Sequence, residues 1–180
     1  MNDKAKAQIE KELKEKTGVL DLSHCELDRI PAVVGEMVWL TALSFESNQI
    51  SKIEGLDGLA SLTTLYLHSN QISKIEGVNG LASLTSLSLH SNQISKIEGL
   101  DGLASLTSLY LESNQISKIE GLLSLSNLEF LDFEQNPIAE LPPEYQAFLS
   151  ALSFFFFFLT KIKELGFFYL SVIKGLLLLC

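Results

Sequence analysis

The sequence predicts an α/β solenoid, a stack of short coils in which one strand per coil pairs in parallel with the strand of the next coil. The main observation is a 22-residue unit that is written four times and begun a fifth time between Leu40 and Asn136. A leucine opens each unit, and an asparagine follows it eight residues later. A constant period of about 20–29 residues with leucines at these spacings is typical of solenoid proteins.

Each unit begins with a predicted strand that has one buried and one exposed side. In the unit 62–83, Leu65 and Leu67 alternate with polar or aromatic residues, which is the period of a strand with one face in the core. A strand of about 3–5 residues is too short to be stable alone. We therefore expect it to pair with the same strand of the neighbouring units, at a spacing of about 4.8 Å.

The asparagines that follow the strands are predicted to form a ladder along the solenoid. An asparagine amide has two donors and an acceptor, so it can pair turn backbone groups that would otherwise be buried without partners. The residues of this ladder are Asn48, Asn70, Asn92, Asn114 and Asn136. Apolar residues three apart then follow, such as Ile72 and Ile75, and they favour 3₁₀ turns and loops on the far side of the coil.

The repeated pattern is L-x-x-L-x-L-x-x-N-x-I-x-x-I-x-G-L, read for example from Leu84 to Leu100. It resembles the leucine-rich repeat family, and within it the 22-residue, Sds22-like type that also occurs in bacterial internalin-like proteins. The resemblance implies a right-handed leucine-rich-repeat solenoid, with a parallel β-sheet on the concave face and 3₁₀ turns and loops on the convex face. It also implies protein–protein binding on the concave face, and it does not imply catalysis.

The chain divides into four predicted segments. Residues 1–16 are expected to form an N-terminal capping helix, 17–141 about six repeat units, 142–152 a C-terminal capping helix and 153–180 a hydrophobic low-complexity tail. In the first segment Asn2 or Asp3 can cap the helix, and Ala5, Ile9 and Leu13 form a narrow apolar stripe. The alternative is a solvated, partly frayed helix.

The two ends of the array diverge from the repeated unit. Cys25 stands where later units have asparagine, and we interpret it as a small buried hydrophobe. The last unit, with Phe130, Phe133 and Pro137, looks like the end of bacterial arrays, including those that precede a GTPase domain in Roco-type proteins. No G-x-x-x-x-G-K-[ST] motif is present in the sequence, so we predict no P-loop nucleotide site.

Three interpretations of the tail remain open. Five consecutive phenylalanines, 154–158, precede an apolar stretch, 165–180, that contains Lys174. This stretch is shorter than the roughly 20 apolar residues of a membrane-spanning helix. The tail could be a membrane anchor or surface-associated helix, a segment folded back over the last repeat, or a readthrough or frameshifted terminus.

The charge of the chain argues against a nucleic-acid partner. The net charge is −9, and residues 17–150 alone carry 17 acidic against five basic residues. Phosphate binding needs clustered lysine and arginine, so a neutral or basic protein surface is favoured. Two cysteines are too few for a disulfide framework. The charged N-terminus lacks the apolar region of a signal peptide, so we expect a cytoplasmic protein, and further a monomer.

The exposed strand positions define the candidate partner-binding face. Tyr66 and Tyr110 are the expected aromatic anchors. The full set of candidate residues is Glu46, Tyr66, His68, His90, Tyr110, Glu112, Phe130, Asp132 and Glu134. A solvated face that merely carries duplicated residues is the simplest alternative.

His68 and His90 are expected to be neighbours on adjacent strands, between Glu46 and Glu112. Such a group could bind a transition metal, although we predict no metal site. It could also form a pH-dependent contact, because neighbouring carboxylates raise the pKa of histidine. The exposed carboxylates have nothing to bury them, so we predict no enzyme activity and no cofactor. The predicted function is a non-enzymatic protein-interaction scaffold, and the alternative is a recognition arm or fragment of a larger regulatory or membrane-anchored protein.

Overall fold

The structure, a computed structural model, describes residues 1–139, 142–152 and 154–156. Its elements follow the order expected for one strand per repeat. They are α1 (Asp3–Glu15), β1 (Val19–Asp21), a 3₁₀ helix (Ala32–Glu36), β2 (Ala42–Ser44), β3 (Thr64–Tyr66), β4 (Ser86–Ser88), β5 (Ser108–Tyr110), β6 (Phe130–Asp132), α2 (Pro143–Ala151) and β7 (Phe154–Phe156).

The described strands form one parallel sheet in chain order, from β1 to β7. The register between repeat strands equals the sequence period, so equivalent residues lie side by side. The central residues of β1 to β6, which form one such row, are Leu20, Leu43, Leu65, Leu87, Leu109 and Leu131. The predicted solenoid with a parallel sheet is confirmed.

A single continuous core fills the inside of the coils. The inward leucines and isoleucines of the repeats are almost fully buried, as Leu65, Leu67, Ile72 and Ile75 show in the unit 62–83. On the side away from the sheet the chain turns through i to i+3 hydrogen bonds, such as the one from Leu62 N–H to the Leu59 carbonyl at 3.0 Å. The predicted 3₁₀ turns are therefore present, mostly as single turns.

Close stacking on that side requires glycine at a repeated position. A Cβ atom on Gly80 would lie 2.5 Å from the Asp57 carbonyl oxygen of the preceding coil. No side chain fits at that distance, because heavy atoms that are not bonded need more than 3 Å. The glycine therefore sets how closely successive coils approach each other.

Helix α1 is docked on the first repeat, and its buried face differs from the predicted one at a single position. The Asn2 side chain caps the helix by accepting from Ala5 N–H at 2.9 Å. Ala5 and Ile9 are buried as expected, whereas Leu13 is 40% exposed and Glu12 is only 3% exposed. The inclusion of Leu13 in the apolar stripe is wrong, because the carboxylate of Glu12 takes the inward position to bind backbone N–H groups of the following turn.

The C-terminal part of the described chain continues the stack. In α2, Tyr145 and Leu149 are buried against the core, and Phe148 and Leu152 are partly buried. The backbone of β7 adds a parallel strand beside β6. Within the described residues no helix is long and apolar enough to cross a membrane. Most of the tail, 157–180, lies outside the described residues. The three interpretations of the tail therefore concern a part of the chain that the structure does not describe.

Candidate functional site

The asparagine column connects each coil to the one before it. The carbonyl oxygen of Asn70 accepts from Ile50 N–H at 2.9 Å, and its amide donates to the carbonyls of Phe45 at 2.9 Å and Leu67 at 3.1 Å. Ile50 and Phe45 belong to the preceding unit. Asn92, Asn114 and Asn136 repeat this arrangement one unit further along each time. The asparagines thus hold the backbone from which the sheet is built.

The direction of these bonds explains why the first unit needs no asparagine. The carbonyl oxygen of Asn48 accepts from both Cys25 N–H and Leu27 N–H, at 3.0 and 2.9 Å, and its amide donates to the Leu22 carbonyl at 2.9 Å. The polar groups of the first turn are therefore satisfied from the second unit. Cys25 is free and buried, in agreement with its interpretation as a small core residue.

A threonine column at the start of the strands was not anticipated from the sequence. The hydroxyl of Thr63 donates to the Thr41 carbonyl at 2.9 Å, Thr85 donates to Thr63 at 3.0 Å, and Thr107 to Thr85 at 3.0 Å. These bonds fix the lateral position of successive strands. Their signal in the sequence is a threonine that recurs at the 22-residue period directly before β2, β3, β4 and β5.

All nine predicted partner-binding residues lie on one surface, which we call the sheet face. It consists of the outward residues of β1 to β6 together with the residue two positions after each strand. Tyr66 is 41% exposed, and the other eight are half-buried. The structure therefore brings the candidate residues together on one continuous surface, where they form two separate clusters.

The first cluster is centred on the two histidines. The imidazoles of His68 and His90 are stacked, with centroids 4.3 Å apart and planes 18° apart. His68 Nε2 lies 3.2 Å from Glu46 Oε2, and its Nδ1 lies 3.3 Å from Ser88 Oγ. His68 is thus held between β2 and β4, leaning over Ser88, which is only 4% exposed.

Ser88 is a site residue that the sequence analysis did not single out. It pairs in register with both Tyr66 and Tyr110, so a small residue stands between the two tyrosines. This interruption of the tyrosine column is the signal that could have identified it. The small side chain leaves the space into which the His68 ring leans.

The pKa prediction for the histidine pair is wrong for His90. Burial, followed by the nearby charge of His68, lowers the pKa of His90, although Glu112, Asp132 and Glu46 act in the opposite direction. Among the described residues no group of three or more histidine, cysteine or acidic side chains could hold a metal ion. Rings that stack flat against each other do not direct their nitrogens to a common point.

Glu46, His68 and Ser88 are the residue types of a hydrolytic triad, but their arrangement favours a structural role. Ser88 is only 4% exposed and lies under the His68 ring, which does not favour attack on a substrate. Two open depressions of the described surface lie away from His68, His90 and Ser88: one of about 420 Å³ is lined by Thr107, Asn127 and their neighbours, and one of about 320 Å³ by His24, Asn48 and theirs. The hydrogen bonds hold His68 in one orientation.

The second cluster lies at the C-terminal end of the sheet face. The rings of Tyr110 and Phe130 are in contact, with centroids 4.8 Å apart. Glu112, Asp132 and Glu134 lie beside this pair on β5, β6 and the residues that follow them. Burial, and then the charges of Asp132 and Glu112, raise the pKa of Glu134. Three carboxylates are therefore close enough to repel each other beside two half-buried rings.

Two hydrogen bonds shape this second cluster. Asp132 Oδ1 accepts from Glu134 N–H at 3.0 Å, and Glu112 Oε1 accepts from the Gln135 amide at 3.3 Å. Gln135 in turn accepts from the Ser113 hydroxyl at 3.0 Å. Gln135 replaces the serine of earlier units at this position, and it orients Glu112 across the sheet face.

Comparisons with known proteins agree with this architecture. The family model for leucine-rich repeats in two copies matches residues 60–102 and 104–147, and a second leucine-rich repeat model matches residues 17–72. No curated protein sequence matches the chain. Proteins of the matching repeat family are in general non-enzymatic scaffolds for protein–protein interaction.

Two solved structures of Listeria monocytogenes proteins resemble the chain. An internalin (inlF) has 36% sequence identity and a TM-score of 0.58, over 64% of this chain and 35% of that chain. An internalin C2 (inlC2) has 33% identity and a TM-score of 0.60, over 66% of this chain and 52% of that one. The present chain thus spans only part of the length of either. From the family models, the sheet register and these neighbours, the chain belongs to the leucine-rich repeat family, with repeats of the internalin-like type.

Proposed function

We propose that this chain is a non-enzymatic interaction scaffold that binds a protein partner on the concave, sheet-bearing face of its solenoid. The observation that carries the proposal is that two groups of packed aromatic rings lie on the sheet face. Tyr66 contacts His68 edge-on at 6.1 Å, His68 stacks on His90, and Tyr110 packs against Phe130. Exposed aromatic side chains held in place by their neighbours are the usual anchors of protein interfaces.

The shape of the surface supports a macromolecular partner. Small-molecule sites are concave pockets that enclose most of their ligand, whereas the sheet face is an open surface that extends over β1 to β6. Strands β2 to β6 beneath it are paired on both sides, so the face is rigid. A rigid face loses little conformational freedom when it binds.

Replacing both anchors tests the proposal. We expect the double variant Tyr66→Ala/Tyr110→Ala to bind the captured partner at least about 100-fold more weakly, because each buried anchor contributes about 2 kcal/mol. The measurement is affinity capture from the source cell with immobilised protein, then titration calorimetry with the captured partner. Circular dichroism should be unchanged, since neither ring is in the core.

The matched control removes exposed apolar side chains that lie off the sheet face. Val38 and Leu123 are 57% and 53% exposed, and Val38→Ala/Leu123→Ala should leave capture unchanged. If the tyrosine variant still captures the partner with full affinity, the sheet face is not the binding surface and the proposal is wrong.

A second candidate is that the array is the recognition arm of a larger regulatory or membrane-anchored protein. It is favoured by the lengths of the two internalin chains, because the present chain matches only 35% and 52% of them. Sequencing the gene beyond the codon for Cys180 tests it. A GTPase or kinase domain in the same reading frame would support the regulatory form, and an immediate stop codon would contradict a regulatory domain that follows the array. In the first proposal, by contrast, the protein is a monomer in the cytoplasm.

A further inference from the structure

One asparagine of the chain differs from the other seven in the bonding of its side chain. Five asparagines form the ladder, Asn2 caps helix α1, and the Asn127 amide donates to the Ala104 carbonyl at 2.7 Å. Asn79 is exposed, and its side chain has no hydrogen-bond partner among the described residues. The Asn79 amide is therefore free to rotate, whereas the other amides are held by their bonds.

The residue after Asn79 is Gly80, and the packing of the coils requires glycine there. A Cβ atom on Gly80 would lie 2.5 Å from the Asp57 carbonyl oxygen, and one on Gly102 would lie 2.3 Å from the Asn79 carbonyl oxygen. Because glycine has no side chain, nothing on Gly80 itself hinders an approach to its nitrogen. Its N–H also makes no hydrogen bond to a described residue.

The turn that contains these two residues is held by a single hydrogen bond of its own. Leu81 N–H donates to the Val78 carbonyl at 3.0 Å, and Asn79 and Gly80 are the central residues of the turn. It lies on the side away from the sheet, where no strand pairing holds it. Exposed turns with few hydrogen bonds open locally at a low free energy. Opening lets the side-chain carbon of Asn79 come to face the Gly80 nitrogen.

From these observations we propose that Asn79 is a site of spontaneous deamidation, a covalent modification in which water is the co-reactant. The Gly80 nitrogen loses its proton to water and attacks Cγ of Asn79. The Cγ–Nδ2 bond breaks, and Nδ2 takes up a proton and leaves as ammonia. Water then opens the succinimide ring, at Cγ to give aspartate or at the main-chain carbonyl carbon to give isoaspartate. This inference goes beyond the proposed function, because the sheet face takes no part in it.

The two products should affect the stack of coils differently. Aspartate keeps the path of the backbone, and the neighbouring units already hold it at this position, as Asp57 and Asp101. Isoaspartate carries the backbone through the side chain and so lengthens it by the Cβ atom. The Asn79 carbonyl lies against Gly102 without space for another carbon, so the lengthened coil cannot stack as closely. Aspartate is tolerated here, and isoaspartate loosens the coil.

The first test follows deamidation of the full chain in water enriched in heavy oxygen. The folded protein is incubated at body temperature and mildly alkaline pH, and a parallel sample contains urea. Ring opening adds a heavy oxygen atom, which mass spectrometry of tryptic peptides detects. Asn79 and the buried Asn92 lie on one tryptic peptide, 75–96, so Asn92 is an internal control. Asn127, which is exposed and bonded and precedes Leu128, is the second control.

We expect Asn79 of the folded chain to convert at least about tenfold faster than either control, which corresponds to a barrier lower by about 1.4 kcal/mol. Equal rates at the three asparagines would overturn the inference. Conversion of Asn79 only in the urea sample would also overturn it, since the coil would then protect the site.

The second test uses variants to separate the two products. Gly80→Ala is unsuitable, because its Cβ would clash with the preceding coil. Asn79→Gln keeps an amide whose longer side chain disfavours ring closure, and Asn79→Asp supplies the aspartate product alone. The deamidated fraction of the aged protein is isolated by its added negative charge and subjected to limited proteolysis.

We expect this fraction to be cleaved in two phases. The isoaspartate form should be cleaved at least about tenfold faster than the fresh chain, because cleavage follows the population of the open form. The aspartate form, the Asn79→Asp variant and aged Asn79→Gln should all be cleaved at the rate of the fresh chain. A single phase at that rate would contradict the effect of isoaspartate on the stack.

Discussion

At the scale of single residues, the asparagine column is the main device that satisfies buried backbone. The side-chain oxygen of each asparagine accepts from a backbone N–H, and the side-chain nitrogen donates to backbone carbonyls. These backbone groups belong to two consecutive coils. Asn92 accepts from Ile72 N–H and donates to the Leu67 and Leu89 carbonyls. Because these groups are covered by the stacked coils, water cannot replace the side chain.

Replacing Asn92 by alanine should therefore be strongly destabilising. We expect Asn92→Ala to lower the free energy of unfolding by about 3 kcal/mol or more, since each buried polar group left unpaired costs about 1–3 kcal/mol. Urea denaturation followed by circular dichroism measures the change. The control is Asn136→Ala, at the half-buried end of the column, which should cost clearly less. Equal losses at the two positions would show that burial does not set the cost.

At the scale of one element, helix α1 illustrates what periodicity could and could not reveal. Its cap and its apolar residues at positions 5 and 9 were predictable from their spacing. The inward position of Glu12 was not, because it depends on the turn that follows the helix. There Glu12 accepts from Gly18 N–H at 2.9 Å and from the Trp39 indole N–H at 2.8 Å. Thr17 also donates to it.

The docking of α1 should depend on pH through Glu12. Burial opposes ionisation, but the hydrogen bonds from Thr17, Gly18 and Trp39 outweigh it and lower the pKa of Glu12 below its ordinary value of 4.5. A lowered pKa means that ionised Glu12 stabilises the fold above the unfolded-state pKa. This contribution is lost as the pH falls through the folded-state pKa.

We expect Glu12→Gln to destabilise the protein by about 1–2 kcal/mol at neutral pH, because hydrogen bonds to a charged acceptor are replaced by weaker ones. The difference from the native chain should shrink as the pH falls below the ordinary value of 4.5 and through the lowered pKa of Glu12 in the native chain. Denaturation curves recorded between pH 3 and pH 7 measure it. Glu15→Gln, on the exposed side of the same helix, is the control. A pH-independent difference would contradict the role of the Glu12 charge.

At the scale of the whole molecule, the repeat period determines most of the architecture. Once one coil is known, identical neighbours must stack in the same register, so the sheet, the core and the sheet face could be predicted. The two clusters could not, because they arise where units differ. Ser88 interrupts the tyrosines, and Gln135 replaces a serine. Such single differences act through side-chain packing across strands. A repeat pattern does not describe this packing, because it records only what the units share.

The near-identity of the units predicts that one can be removed without loss of the fold. We expect deletion of residues 84–105 to leave a folded solenoid, because β3 would pair with β5 in the same register. Each unit of a solenoid contacts only its neighbours. The urea m-value should fall by roughly a sixth, in proportion to the surface buried. Circular dichroism and denaturation measure this. A deleted chain that aggregates or unfolds would show that the units are not interchangeable.

The backward reach of the asparagines has a consequence for synthesis on the ribosome. The N-terminal coil emerges first, but its turn is closed only when the Asn48 side chain of the next coil arrives, and the same holds at every later step. Ordering of the nascent polypeptide should therefore trail translation by one coil. No asparagine follows Asn136 in the sequence, so the turn after β6 then depends on the other residues that are translated directly after it.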